Sequence, residues 1–303
     1  MTPGTAARSK SVELELEKPD MASWGAEVHA GQRFKFGRNW KKFLDVINEE
    51  RIAAAQTSLL EMLETQDLVG KSLLDVGSGS GLSSLAAIRA GVKEVQSFDF
   101  DSESVASTTA LRERYQADES HWVVKEGSIL DQSFLRSLGT FDVVYSWGVL
   151  HHTGNMWEAL ENVCALVRPR GKLFIAIYND EGEISRLWKK VKILYNRGRI
   201  ARWGLFSAFF AWQVARGIVI DVVVKQRSPL ARYRNYKTSR GMSFSRDLTD
   251  WLGGYPYEVA KPEEIFEFFQ KRGFVLTKLK TAGRSHGNNE FVFAKLVQPE
   301  EVR

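Results

Sequence analysis

Between residues 69 and 180 the chain alternates short apolar runs with segments whose apolar positions recur every three or four residues. The runs 71–76, 95–100, 121–125, 141–146 and 172–178 read as strands, because they are short and rich in Val, Leu, Ile and Phe. Residues 82–90, 102–115, 131–138 and 155–167 read as helices, the first of them closed by Gly91. Strands alternating with helices imply crossovers and a mostly parallel sheet covered on both faces. Upstream, Phe43, Val46, Ile47, Leu59, Leu60 and Leu63 lie at helical spacing within 41–65 and predict a helical lead-in. After residue 179 the rhythm stops for about 80 residues, then resumes with a helix over 262–272, where Pro262 suits the first turn. Strands at 274–280 and 290–296 follow, joined by a link too short for a helical crossover, so they pair as an antiparallel hairpin. The expected fold class is α/β: a mostly parallel seven-stranded sheet with a terminal antiparallel hairpin and a helical insert after the fifth strand. The expected divisions are a disordered N-terminus (1–25), a helical lead-in (26–68), a core (69–180), the insert (181–260), and a helix with the hairpin completing the core (261–297).

Composition changes this picture in one place. Hydrophobic residues make up 44% of the 303 and charged residues 26%, enough for a full core. The single cysteine, Cys164, falls within a predicted helix, so an intrachain disulfide is excluded and core packing in a reducing cytoplasm is expected. The first 20 residues are polar and mixed in charge, without the apolar centre of a secretion signal. The net charge of +5 is unevenly spread: residues 186–240 hold fourteen Lys and Arg against one acid, Asp221, a net +13 that leaves −8 for the rest. A basic insert on an acidic body points to an anionic partner or substrate, or to a merely solvated basic surface.

The candidate chemistry starts where the first strand turns into a helix through Gly77, Ser78, Gly79, Ser80 and Gly81. Glycines at alternate positions let backbone N–H groups approach a ligand at a helix N-terminus. A tight structural turn is the alternative reading of the same run. Asp99 ends the neighbouring strand, placed to accept both hydroxyls of a ribose. A nicotinamide dehydrogenase uses the same pair. The loop spacing here is Gly-x-Gly-x-Gly, and the terminal strands form a hairpin, both unlike that class.

On these residues the chain resembles the class I S-adenosylmethionine-dependent methyltransferases, with a Rossmann-like core, over about 70–180 and 262–296. Asp75, Gly77, Gly79 and Gly81 look like the family's first motif, and the strand end at Asp99 and Phe100 like its second. The resemblance implies S-adenosylmethionine as cofactor, with Ser78 in the loop, Ser128 and Ile129 near the adenine, and Ser146 and Trp147 beside the methionine part. Ser128 stands where the family often has Asp. Leu150, His151 and His152 are similar to a signature of small-molecule methyltransferases, including those acting on quinone precursors. His151 and His152 are candidates for a general base, since imidazole titrates near neutrality; a purely structural role is the alternative. The tetrapeptide of nucleic-acid amino methyltransferases, Asn/Asp-Pro-Pro-Tyr, is absent, which argues against an N6-adenine enzyme. No metal is expected, because the adjacent histidines lack helical zinc-pair spacing.

Tyr178 and Asn179, at the exit of the fifth strand, are candidate substrate contacts or helix caps. Trp251, Tyr255 and Tyr257, beside Gly253 and Gly254, are candidates for an aromatic wall over the methyl acceptor, or for a structured turn. Asn288, Asn289 and Glu290 open the last strand and are further candidates for reaching the same pocket. Residues 203–224 are long and apolar enough to span a bilayer, with Arg216 and Asp221 inside. A span is rejected, because it would separate the hairpin from its sheet and place charge in lipid. A helical cap over the pocket remains, as does peripheral contact with an anionic membrane surface by way of Lys189, Lys190, Lys192, Arg197, Arg199 and Arg202 before the helix and Lys225, Arg227, Arg232 and Arg234 after it. The expected reaction is methyl transfer to an oxygen or nitrogen of a small or lipid-like molecule. The alternatives are a tRNA or rRNA methyltransferase using the basic insert as its platform, and a non-catalytic binding module.

Overall fold

The computed structural model describes residues 30, 33–224, 228, 244–283 and 287–297. The stretch 1–25, the basic residues Lys225, Arg227, Arg232 and Arg234, and His286 lie outside the described residues.

The lead-in forms two helices, α1 (Gly37–Phe43) and α2 (Glu49–Leu63), rather than one. A short 3-10 turn, Leu44–Val46, and extended backbone at Ile47 separate them. Asn48 starts α2 by accepting the Arg51 N–H, and this cap is what breaks the helical periodicity read across 41–65. The core follows in strict alternation: β1 (Ser72–Val76), α3 (Leu82–Arg89), β2 (Glu94–Asp99), α4 (Ser102–Arg114), β3 (Trp122–Glu126), α5 (Gln132–Arg136), β4 (Phe141–Trp147), α6 (Met156–Leu166) and β5 (Val167–Tyr178). β5 starts earlier than its apolar run, because the chain passes straight from α6 into extended backbone and pairs irregularly with β4 near Phe141.

The insert is helical: α7 (Glu183–Asn196), α8 (Arg199–Val219) continued by a π-helical turn Ile220–Val224, and α9 (Phe244–Gly253). Then come α10 (Pro262–Gln270), β6 (Phe274–Lys280) and β7 (Asn288–Lys295). The seven strands lie in the order β3-β2-β1-β4-β5-β7-β6. β7 is inserted between β5 and β6 and runs antiparallel to both, while β1 to β5 pair in parallel.

Two apolar layers clamp the sheet. On one face Leu74, Val144, Ile175 and Phe291 pack against α6 and α10 through Leu160, Val163, Ile265 and Phe269. On the other, Leu73, Val143, Phe174 and Val292 pack against α2 and α3 through Ile52, Leu59 and Leu85. Neighbouring residues of one strand thus feed opposite cores, as the two-residue period of a strand requires. Each large side chain so buried is worth about 1.5–3 kcal/mol. Cys164 packs in the first of these layers, and burial pushes its thiol up to about 12. A third, smaller core joins lead-in to insert: Phe34, Tyr195 and Leu252 with Trp188, Phe206 and Phe209. That contact folds the insert back over the carboxyl ends of the strands.

Candidate functional site

The glycine loop is shaped by close approach. Gly77, Gly79 and Gly81 all have positive φ (78°, 56° and 79°), which L side chains rarely adopt. A Cβ on Gly77 would lie 2.4 Å from Val149, and one on Gly79 would lie 2.9 Å from the Trp40 indole. The loop is held from behind by Thr108 of α4, whose hydroxyl donates to the Gly79 carbonyl at 3.3 Å and accepts from Ser78 at 2.9 Å.

Asp99 closes the loop from the side. Its Oδ2 accepts the Gly79 N–H at 3.0 Å and its Oδ1 the Asp101 N–H at 2.9 Å. Each carboxylate oxygen keeps a lone pair for a further donor. Burial pushes Asp99 up to about 7. Asp101 in turn accepts the Gly37 N–H at 2.8 Å, which anchors α1 beside the loop.

Asp75 sits at the end of a buried chain of donors. The Trp122 indole N–H donates to Ser97 Oγ at 2.7 Å, Ser97 and Ser84 share a hydrogen bond of 2.7 Å, and Ser84 donates to Asp75 Oδ2 at 2.5 Å. Burial raises Asp75 to about 6. This chain locks β1, β2, β3 and α3 together directly beneath the loop.

Above the loop lies a cavity of about 820 Å³. Of the residues singled out in the sequence, Asp75, Gly77, Ser78, Gly79, Asp99, Phe100, Ser128, Ile129, Trp147, His152, Tyr178 and Trp251 line it. Gly81, Ser146, His151, Asn179, Tyr255 and Tyr257 do not. Gly81 begins α3, and Ser146 donates to the Val76 carbonyl at 3.1 Å. Asn179 accepts from the Asn289 side chain at 2.9 Å, which ties β5 to β7. The Tyr255 carbonyl accepts the Phe34 N–H at 2.9 Å, holding the lead-in to the 251–258 segment. Ser128 Oγ accepts the Leu130 N–H at 3.1 Å, shaping its own loop at the cavity edge.

The two histidines differ. His151 is fully buried behind the wall and receives the Tyr178 N–H on Nδ1 at 3.4 Å. His152 reaches the cavity, and its Nδ1 lies 2.6 Å from the Pro256 carbonyl. A carbonyl only accepts, so Nδ1 carries the hydrogen and Nε2 keeps its lone pair. The expectation of titration near neutrality is corrected for both rings. Burial holds His152 down at about 3, with the Lys192 charge nearby, and holds His151 well below its ordinary range.

Sequence reasoning missed several lining residues. Arg33, Phe36 and Trp40 enter from the lead-in, Tyr145 and Phe174 from the sheet, and Phe209, Trp212, Gln213 and Arg216 from α8. The aromatic and basic richness of 23–43 was the available signal for the first group. Asn288 and Glu290 also line the cavity, whereas Asn289 makes the bond to Asn179. Lys192, read as part of a basic flank, is instead fully buried. Its ammonium donates to the Trp251 carbonyl and lies 4.7–5.3 Å from the ring centroids of Tyr178, Trp251 and Tyr257. Desolvation lowers Lys192 to about 7. Glu258 accepts from the Gly154 N–H at 3.0 Å and the Met156 N–H at 3.1 Å, pinning the 251–258 segment to the start of α6.

A parallel sheet completed by an antiparallel β7, with a glycine loop and an acid at the end of β2, defines the class I S-adenosylmethionine-dependent methyltransferases. The methyltransferase domain family matches residues 47–216, more than half of the chain, and the chain belongs to that family. Among curated relatives it is 31% identical over 135 residues to a tRNA U34 carboxymethyltransferase of Methylococcus capsulatus, covering 45% of this chain and 39% of that one. It is 34% identical over 121 residues to a ribosomal protein L11 methyltransferase of Photobacterium profundum, covering 40% of this chain and 38% of that one. The matched stretch thus spans well under half the length of either relative. Among solved structures, PKMT2 from Rickettsia typhi in complex with AdoHcy shares the fold with a TM-score of 0.52 at 14% identity, covering 81% of this chain and 53% of that chain.

The loop and its surroundings fit the cofactor of this family. The cradle at Gly77 and Gly79 is one that a Cβ would fill, and Asp99 is partly buried with lone pairs to spare. Gly77, Ser78 and Gly79 would hold the methionine part, Asp99 the ribose, and Ser128 with Ile129 the adenine. The cofactor supplies an electrophilic methyl group when bound.

Proposed function

We propose that this chain transfers a methyl group from S-adenosylmethionine to an oxygen or nitrogen of a small or lipid-like molecule, met in the cytoplasm or at an anionic membrane surface. The observation that carries this reading is the roof of the cavity. Phe209 and Trp212 of α8, Trp251 of α9 and Phe36 of the lead-in cover the space next to the cofactor loop. An aromatic enclosure of this kind suits an apolar acceptor and excludes water. His152 has its Nε2 lone pair available to take a hydrogen bond from the acceptor's hydroxyl or amine. The remaining residues orient the acceptor, and holding the two reactants in line supplies much of the rate.

A second reading, an RNA substrate, is favoured by the basic insert and by the name of one curated relative, the tRNA U34 carboxymethyltransferase, whereas the other names a ribosomal protein. Enclosure by aromatic side chains supports it less well than an open basic groove would. The deciding experiment incubates cell extract with and without the protein and methyl-labelled cofactor, then compares labelled metabolites, lipids and RNA. Label confined to RNA would overturn the favoured reading. No label in any fraction, with no cofactor binding by calorimetry, would leave only a binding module.

A further inference from the structure

We infer that α8 is a monotopic membrane contact: its outer face lies in the interface of an anionic bilayer while its inner face roofs the cavity. The inference rests on the proposed reaction only for the nature of the acceptor, since the contact itself follows from the helix.

The helix Arg199–Val222 has the length and composition of a membrane span, yet only 11% of its most apolar window is buried in the protein. Its exposed face is broad: Ile200, Trp203, Ser207, Ala211, Ile218 and Val222 run down its middle as a stripe at helical spacing, flanked by exposed Gly204, Ala208, Phe210, Ala215 and Val219. Ile200 is 89% exposed and Trp203 76%. No charged residue lies on that stripe. The charges of the helix lie off that line: exposed Arg202 sits over the buried Tyr195 ring, and exposed Arg216 sits over the half-exposed Trp212 ring at the edge of the face. The opposite face carries Phe209, Trp212, Gln213 and Arg216 into the cavity. A helix so engaged cannot cross a bilayer, but it can lie along one.

Charge identifies the occupant. Exposed Arg197, Arg199 and Arg202 gather at the N-terminal end of the stripe, and exposed Lys189 and Lys190 lie on α7, which packs against α8; Arg186 on α7 is paired with Glu183. Anionic headgroups neutralise such a rim while acyl chains receive the apolar stripe. In a self-complementary contact between two copies, each face would bring the same basic rim to the other. An RNA backbone would find no charge on the stripe itself. An amphiphilic acceptor held in the bilayer would then meet the cavity at the helix that lines it.

The test uses the full chain and vesicle flotation with phosphatidylcholine alone, or with about one third phosphatidylglycerol. Binding to the anionic vesicles that weakens with salt is expected. The double variant Trp203→Ser, Ile218→Ser alters the stripe without touching cavity residues, and is expected to weaken binding by roughly tenfold or more. Cofactor binding, read by calorimetry on the same preparations, is expected to be unchanged. Three results would overturn the inference: no vesicle binding at low salt, vesicle binding that the double variant leaves unchanged, or a dimer that the double variant converts to monomer. Retention on RNA in place of vesicles would overturn it as well. Loss of cofactor binding in the parent chain would instead sink the methyl-transfer reading and leave the vesicle result standing.

Discussion

The Gly79 amide donates to Asp99 Oδ2 at 3.0 Å, so the glycine loop and the acid at the end of β2 form one hydrogen-bonded unit. The same carboxylate accepts from Asp101, and Asp101 accepts from Gly37 of the lead-in. Loop, acid and covering helix are therefore coupled before any ligand arrives. Replacing Asp99 by Ala removes two charge-assisted bonds to a ligand, each worth about 1.5–3 kcal/mol. Cofactor affinity by calorimetry is expected to fall on the order of a hundredfold or more.

The protonation of Asp99 sets a pH dependence. Burial holds its carboxyl at about 7, against 3.8 in the unfolded chain. Only the charged form accepts fully from ribose hydroxyls, so cofactor affinity should rise about tenfold from pH 6 to pH 8 and be flat in Asp99→Asn. Stability moves the opposite way. Between these two values the folded protein holds a proton that the unfolded chain has lost, so this group's contribution falls as pH rises through the window. Thermal melts of the cofactor-free protein should show Asp99→Asn gaining stability relative to wild type from pH 4 to pH 7. An unchanged difference would refute the assignment.

Trp40 and Gly79 should behave as a coupled pair. Gly79→Ala places a methyl group 2.9 Å from the indole and forces an L side chain to φ 56°. Trp40→Ala removes the first problem but not the second, which costs roughly 1–2 kcal/mol. Trp40→Ala alone should lower cofactor affinity about tenfold, since cover over the loop is lost. The double variant should bind better than the sum of the single effects predicts, a non-additivity that calorimetry can measure.

His152 is neutral throughout the assay range, because burial holds it at about 3. Turnover should show no limb near pH 6.5 from this ring, and His152→Ala should lose no more than about tenfold in kcat, the worth of one orienting hydrogen bond, because a ring held at about 3 is too weak a base to take the proton at neutral pH. In the unfolded chain the ring charges below its ordinary value of 6.5, so stability is lost as pH falls from there towards 3. His152→Gln should retain roughly 1–3 kcal/mol more of its stability between pH 7 and pH 4 than wild type does.

Glu258 fastens the 251–258 segment by accepting amides at the start of α6. Glu258→Ala should cost about 1–2 kcal/mol, a few degrees in melting temperature. Its KM for the acceptor should rise more than its kcat falls, because Trp251 and the Pro256 contact to His152 hang on that segment. Equal kcat and KM in variant and parent would show that the segment holds itself in place.

The sheet was legible in the chain because strand and helix periodicities are local, and because a hairpin link too short for a helix leaves one pairing. The glycine loop was legible for a similar reason: φ and close approach restrict a residue type within a few positions. Lys192 shows where such reasoning stops. Its neighbours in sequence mark it as one of a basic run, yet Tyr178, Trp251 and Tyr257, distant in the chain, enclose it. The same holds for Trp40 over Gly79 and for the separation of His152 from His151.

By itself the sequence determined the order of elements, the glycine loop next to Asp99, and the presence of a basic, apolar insert. The tertiary structure decided what that insert does to the site. Burial and charge at a given atom depend on which segments fold over it, and no spacing along the chain carries that information. Thus α8 became both the roof of the cavity and an exposed apolar face, and the two adjacent histidines became one wall residue and one residue at the cavity.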